Sequence, residues 1–305
     1  EAGRGKTRLT EEFSFHLLKE ETMFLAAKCF AQKRKIPYQI FRDILDDYIN
    51  KVQNLATHKK EKHIEKIKEV LGELGEIILR INPDMELLIG KQPPLVKLEP
   101  EKENRRFLMV ASKFFLNLSS PDMPVVLFLD DLQWADEGSL SIFYEIVQQV
   151  EKFPSFFIGA YRDNEVDESH TLVRIMREAR EKQYPLEELK LGPFTHGYLN
   201  KFISELLLED EEKVYELSEY IFEKSQGNPF FSIEILRQLV YQEGVVYLPD
   251  KKVWYVDWNK IRDIDIPANI VEIVLARIKR LDEEHIGFLS YASCIGREFS
   301  IEFLS

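Results

Sequence analysis

Cysteine is scarce in this sequence of 305 residues: there are two, Cys29 and Cys294, each in an apolar run. Such a pair builds no disulfide framework and fits a reducing compartment. Long hydrophobic runs are missing too. No stretch approaches the ~18–20 apolar residues of a membrane helix, and the charged first residues lack the pattern of a signal peptide. The expectation is a cytoplasmic protein without membrane insertion. An excess of positive charge is also lacking, because 53 acidic residues against 41 basic ones leave a net charge of -12. That field disfavours coating of nucleic acid or an anionic membrane, a local basic patch aside. Composition excludes disorder: aromatics reach 12%, and apolar residues, 45% of the total, run along the whole chain. This is enough for a sizeable core and about two domains.

What is present begins with Glu1-Ala2-Gly3-Arg4-Gly5-Lys6-Thr7. These residues form most of a phosphate-binding loop, G-x-x-x-x-G-K-[ST], whose leading glycine and feeding strand would stand before Glu1. The chain is therefore expected to be a piece of a longer polypeptide, and its stop at Ser305 without a closing signal points the same way. Gly3 and Gly5 let backbone N–H groups turn inward around phosphate oxygens. Lys6 offers a point charge to the outer phosphates, and Thr7 a hydroxyl ligand for Mg²⁺. A helix follows, with Leu9, Phe13 and Leu17 at four-residue spacing on one face and its positive end toward the anion. For this truncated motif alone, a glycine-containing turn before an ordinary helix is an equal alternative.

Met23–Cys29 reads as a short buried strand, and residues 31–120 as a helical insertion. There Ile40, Ile44, Tyr48, Val52 and Leu55 share one helix face. Ile64, Ile67, Leu71, Leu74, Ile78 and Ile81 predict one long amphipathic helix, and Phe107, Val110, Phe114 and Leu118 another. Val125–Leu129 is a continuous apolar run of the kind buried on both faces of a parallel sheet. A helix with Leu140, Phe143, Val147 and Val150 inward, a strand Ser155–Ala160, a charged helix from Leu172 to Arg180 and a weaker strand Leu186–Leu191 come next. Strands alternating with helices predict a parallel α/β sheet. After Gly192-Pro193 the pattern is helical to about Glu243. A hairpin of Val245–Tyr247 and Val253–Val256 and a last helix from Ile270 to Leu281 complete the reading.

Asp130 and Asp131 follow the apolar run directly, at the carboxyl end of a strand, where open α/β sheets bind ligands. One carboxylate there can hold Mg²⁺ and the next can orient or deprotonate an attacking water. A lone aspartate would read as a cap, whereas a pair with a phosphate loop upstream favours a nucleotide. Asp136 reads as a helix cap. Arg162 also follows a strand, where a guanidinium can reach a terminal phosphate; an ion pair with nearby Asp163, Glu165 or Asp167 is an equal alternative. That acidic cluster lacks the loop glycine and distal glutamate of an EF-hand, so calcium is rejected. Gly227-Asn228-Pro229-Phe230-Phe231 opens a helix, with Pro229 near its first turn.

Together these segments resemble the signal-transduction ATPases with numerous domains, the STAND branch of AAA-like P-loop ATPases. The resemblance rests on Glu1–Thr7 with Arg8-Leu9, Leu127–Asp136, Ile158–Glu165, Gly227–Phe231 and the stretch from Ile266-Pro267 to Phe299. It is closest to the ATPase modules of large bacterial sensor kinases, serine/threonine kinase fusions, LuxR-type regulators and some adenylyl cyclases. The resemblance implies an α/β fold: a P-loop ATPase core over residues 1–191, a helical lid over 192–245 and the start of a winged-helix-like domain over 246–305. It implies ATP, ADP and Mg²⁺ as ligands, bound by Gly3, Gly5, Lys6, Thr7 and Arg8. Thr7 and Asp130 would then be metal contacts, Asp131 the residue that activates water, Arg162 the sensor arginine and Pro229 the lid proline near adenine. Such a module is a slow, regulated ATPase switch that works with other domains of its parent chain and with protein partners. Two other classes remain open, a non-hydrolysing nucleotide-dependent scaffold and a DNA-binding regulator. The second is disfavoured because Arg277, Lys279, Arg280 and Arg297 are outnumbered by acids over residues 267–305.

Overall fold

The computed structural model describes residues 3–18, 22–120, 123–266 and 269–295. Glu1 and Ala2 of the loop, Pro267, Arg297 and Phe299 lie outside the described residues. The chain divides into two compact units, one containing Lys6–Lys190 and the other containing Gly3–Gly5 with the residues from Leu191 onward.

In the first unit α1 (Lys6–Leu18) leads to β1 (Met23–Lys28), and a helical layer follows. The layer comprises α2 (Gln39–Gln53), α3 (Thr57–Leu71), α4 (Glu76–Ile81), α5 (Glu86–Ile89) and α6 (Pro100–Leu116). Then come β2 (Val125–Asp130), α7 (Glu137–Val147), β3 (Ser155–Gly159) and α8 (Thr171–Glu181). The strands pair in parallel in the order β1-β2-β3, with Lys28 opposite Asp130 and Leu129 opposite Gly159. Every residue of β2 is buried. A central parallel strand is covered on both faces, which is why its sequence does not alternate. The core joins Leu25 of β1 and Leu127 and Leu129 of β2 to Phe41, Ile44, Tyr48, Phe114 and Phe115 of the helical layer.

The second unit contains α9 (His196–Leu207), α10 (Glu211–Ser225) and α11 (Pro229–Tyr241). An antiparallel hairpin of β4 (Val245–Leu248) and β5 (Val253–Val256) follows, then α12 (Trp258–Asp263), α13 (Ile270–Ile278) and α14 (Glu283–Ile295). Leu199, Leu217, Ile221, Ile235 and Leu239 form its core.

Two expectations are corrected. The stretch from Ile64 to Ile81 is two helices, because Gly72 has a φ of +51° and a ψ of -124°, a conformation that ends α3 and that side chains disfavour. Residues 186–191 form no strand. A strand exists through a ladder partner, and this segment is held instead by Tyr161 and Arg180 on Glu188 and by Lys190 with Asp163 at 3.2 Å. On the apolar face of α1, Leu9 is 48% and Phe13 36% exposed. The helix meets the sheet mainly along β1 at its edge, and among its residues whose burial is described the buried one is Thr10, whose hydroxyl donates to the carbonyls of Lys6 and Thr7.

Candidate functional site

The carboxyl ends of β1 and β2 and the turn after β3 gather a polar cluster within the first unit. Asp130 closes β2, and its carbonyl accepts the Cys29 N–H at 3.0 Å, so the ladder itself fixes the residue. Its Oδ1 accepts the Asp131 N–H at 2.9 Å. Its Oδ2 accepts from the Thr7 hydroxyl at 3.3 Å and from the Lys28 ammonium at 2.9 Å. Asp131 stands in the left-handed region, with φ +52°, which aspartate tolerates better than most side chains. After that turn the Leu132 N–H bonds to the Ala160 carbonyl at 2.9 Å, carrying the chain across to the end of β3.

Both oxygens of Asp131 are engaged. Oδ2 lies 2.8 Å from Lys28 Nζ. Oδ1 accepts from Gln133 Nε2 at 3.0 Å and lies 3.3 Å from Arg162 Nε. Buried Gln133 also accepts the Arg162 backbone N–H at 3.2 Å, and the Arg162 guanidinium donates to Glu165 at 2.6 Å. Two acids exposed by no more than 5% are therefore matched by the cations of Lys28 and Arg162.

The titration behaviour follows from these contacts. Burial lifts the Asp131 carboxyl, but hydrogen bonds from Lys28 and Gln133 and the charges of Lys28 and Arg162 outweigh it and hold the group below its ordinary 3.8. The stability this contributes is present above pH 3.8 and is lost as pH falls through the depressed native value. Burial opposes the Lys28 ammonium, and its bonds to Asp131 and Asp130 more than offset that, so its pKa is raised.

Thr7, Asp130, Asp131 and Arg162 thus meet in one cluster, and Lys6 opens α1 beside Thr7. Arg8 does not join them; it pairs with Glu12 and, at 3.5 Å, with Glu11 on the exposed side of its own helix. Gly3 and Gly5 take φ values of +77° and +88°, the left-handed turn that a phosphate loop uses. In the second unit the Gly3 carbonyl accepts the Phe230 N–H at 3.2 Å. Pro229 is the first residue of α11, and the Asn228 side chain caps that helix by accepting the Phe231 N–H at 3.2 Å. Asp136 caps α7, accepting from the Ser139 N–H at 2.9 Å.

Sequence reasoning passed over Lys28 and Gln133. A lysine ending an apolar strand was the available signal, but its partner is set by parallel register, which is non-local. In the sequence Glu165 is one of several acids near Arg162, and spacing alone does not single it out.

Among the described residues no group of three His, Cys, Asp or Glu side chains is placed to hold a metal ion. A hydroxyl and one carboxylate, Thr7 and Asp130, do not make a calcium or zinc cage. They suit Mg²⁺, which takes one or two protein oxygens and completes its shell with water and phosphate.

Residues 1–158 match the model of a family described as "AAA ATPase domain". Over its whole length the chain is 23% identical to "Hybrid signal transduction histidine kinase G" of Dictyostelium discoideum. Over 68% of its length it is 23% identical to "Peroxide stress-activated histidine kinase mak3" of Schizosaccharomyces pombe. The chain spans about a tenth of these relatives, 10% of the first and 9% of the second. With a parallel α/β sheet, a glycine-lysine-threonine loop opening a helix, and more than half its residues covered by the family's model, the chain belongs to the AAA ATPase domain family, as a P-loop AAA-like module.

Proposed function

We propose that the chain is an ATP-binding, slowly hydrolysing regulatory switch of the STAND type within a larger signalling protein. The observation that carries this reading is the meeting of the Thr7 hydroxyl with the Asp130 carboxylate at 3.3 Å, beside Asp131 and next to the first residue of α1. Membership of the family supports nucleotide as the ligand. Relatives named as histidine kinases support a signalling setting.

In this reading the loop N–H groups and Lys6 bind the phosphates, and the amino end of α1 favours their charge. Thr7 and Asp130 are the residues that would hold Mg²⁺, which when bound neutralises phosphate charge. Asp131 orients the attacking water and takes up its proton at the carboxylate. Arg162 stabilises charge on the terminal phosphate. Because both Asp131 oxygens are already engaged by Lys28, Gln133 and Arg162, that carboxylate is a restrained base, and slow turnover follows. The proposed division is an ATPase core over 1–191, a lid over 192–245 that includes Pro229, and a winged-helix-like region over 246–305. Other domains of the parent chain and protein partners are its proposed contacts, in a cytoplasmic setting.

The same engagement of Asp131 favours one rival, a scaffold that binds nucleotide and never cleaves it. A DNA-binding role for the last segment is disfavoured, since Arg277 pairs with Glu234 at 3.2 Å and Arg280 lies 4.3 Å over the Tyr241 ring. Nucleotide titration and phosphate release separate the readings. Lys6→Ala should weaken ATP binding, whereas Asp131→Asn should keep binding and lose turnover by about 100-fold or more. Equal phosphate release by wild type and Asp131→Asn sinks the role of Asp131, and no release by wild type leaves the scaffold.

A further inference from the structure

Lys28 has no ligand-binding part in that reading, yet of the cations in the cluster it makes the shortest ion pairs to the two aspartates. Its Nζ stands 2.9 Å from Asp130 Oδ2 and 2.8 Å from Asp131 Oδ2. The backbone fixes this arrangement, because Lys28 is the register partner of Asp130 in the parallel ladder. The Asp130 oxygen that receives the ammonium is also the one that receives the Thr7 hydroxyl. A carboxylate oxygen has about two lone-pair sites, and here Lys28 and Thr7 occupy them. We infer that Lys28 is a built-in cation that a divalent metal must displace from Asp130, so that this lysine sets the metal affinity of the site. The inference rests on the nucleotide reading above.

The exchange is electrostatically required. A metal shared by Thr7 and Asp130 would lie within a few Å of the ammonium, and like charges that close repel strongly where water is scarce. Leaving is easy for Lys28, whose side chain is 35% exposed at the end of a flexible stem and can carry its charge into water. Asp131 stays in place during the exchange, held by Gln133 at 3.0 Å and Arg162 at 3.3 Å. Arg162 is no competitor for the metal position, since its contacts are to Asp131 and Glu165 rather than Asp130. No bond is made or broken covalently; one cation replaces another on a carboxylate oxygen. Without metal, the lysine keeps two adjacent acids from repelling each other. With metal, it is released from Asp130, and its hold on Asp131 changes as well.

The test is a Mn²⁺ titration, read by electron paramagnetic resonance, on the whole chain saturated with ADP, comparing wild type with Lys28→Gln and Lys28→Arg. Lys28→Gln is expected to bind Mn²⁺ roughly tenfold more tightly than wild type, while Lys28→Arg, which keeps the charge, behaves as wild type. Equal affinity in wild type and Lys28→Gln overturns the inference, as does an equal gain in Lys28→Arg. Should Lys28→Gln fail to fold, lysine side-chain ¹⁵N resonances of the wild type decide. A Lys28 ammonium signal protected from exchange with ADP alone and losing protection when Mg²⁺ is added supports displacement; unchanged protection overturns it. Failure of wild type to bind ADP overturns the nucleotide reading and this inference together. ADP binding with unaltered metal affinity in Lys28→Gln overturns the inference alone.

Discussion

The strand ends around Asp130 and the helical layer from α2 to α6 share one folding unit and are assembled on opposite rules. In the layer, Phe41, Ile44, Leu45, Phe114 and Phe115 are fully buried and apolar, so burial and stabilisation coincide. At the strand ends, Asp130, Asp131 and Gln133 are nearly as deeply buried, but they are polar or charged and held by hydrogen bonds and ion pairs. Burying charges costs about as much as their pairing returns, and well-packed apolar side chains commonly do better. Stability therefore explains the layer and does not explain the acids. Their place at the carboxyl end of a central strand is what the proposed ligand-binding role would account for.

The contrast can be broken from the layer side first. Phe41→Ala removes a fully buried ring of α2, whose centroid lies 4.5 Å from that of the Phe115 ring. It should cost about 3–5 kcal/mol in denaturant unfolding, while nucleotide affinity measured under folding conditions stays near wild type. A large loss of affinity in the folded variant would show that the two regions are not separable. A smaller effect is expected at Gly72, where any side chain must adopt the φ of +51°. Gly72→Ala should cost about 1–2 kcal/mol, and an unchanged unfolding midpoint would mean that the break between α3 and α4 carries no strain.

The smallest effect sharpens the comparison by testing the layer's own buried polar pair. His63 Nδ1 lies 3.3 Å from the Tyr48 hydroxyl and its Nε2 lies 3.0 Å from Met123 Sδ. Burial, then the charges of Lys66 and Lys62, push the imidazole below its ordinary 6.5. The unfolded chain takes up this proton first, so stability should fall as pH drops below 6.5 toward the depressed native value. His63→Gln should flatten that slope in melting temperatures recorded between neutral and mildly acidic pH. A slope of the same size in the variant would assign it to other groups.

Legibility in the sequence follows the range of the interactions. β2 and its two acids could be read because an uninterrupted apolar run ending in aspartates is a local signal, and the layer because its helices repeat every three or four residues. Helical periodicity also misled: it runs on through Gly72-Glu73-Leu74-Gly75, where the glycine conformation ends α3. Residues 186–191 follow a helix, where an alternating α/β pattern predicts a strand, but among the described residues they have no ladder partner. Lys28 is illegible for the same reason, because only the register between β1 and β2 sets it on Asp130, 102 residues away, and its neighbour.

The most direct measurement is the gain in ADP affinity that Mg²⁺ confers on wild type, Thr7→Ala and Asp130→Asn, each shown to be folded by its melting curve. If Thr7 and Asp130 hold one ion together with the phosphates, the gain is present in wild type and vanishes in both variants, while Mg²⁺-free binding persists. A Mg²⁺ gain of wild-type size in both variants would contradict a shared metal at this pair of residues.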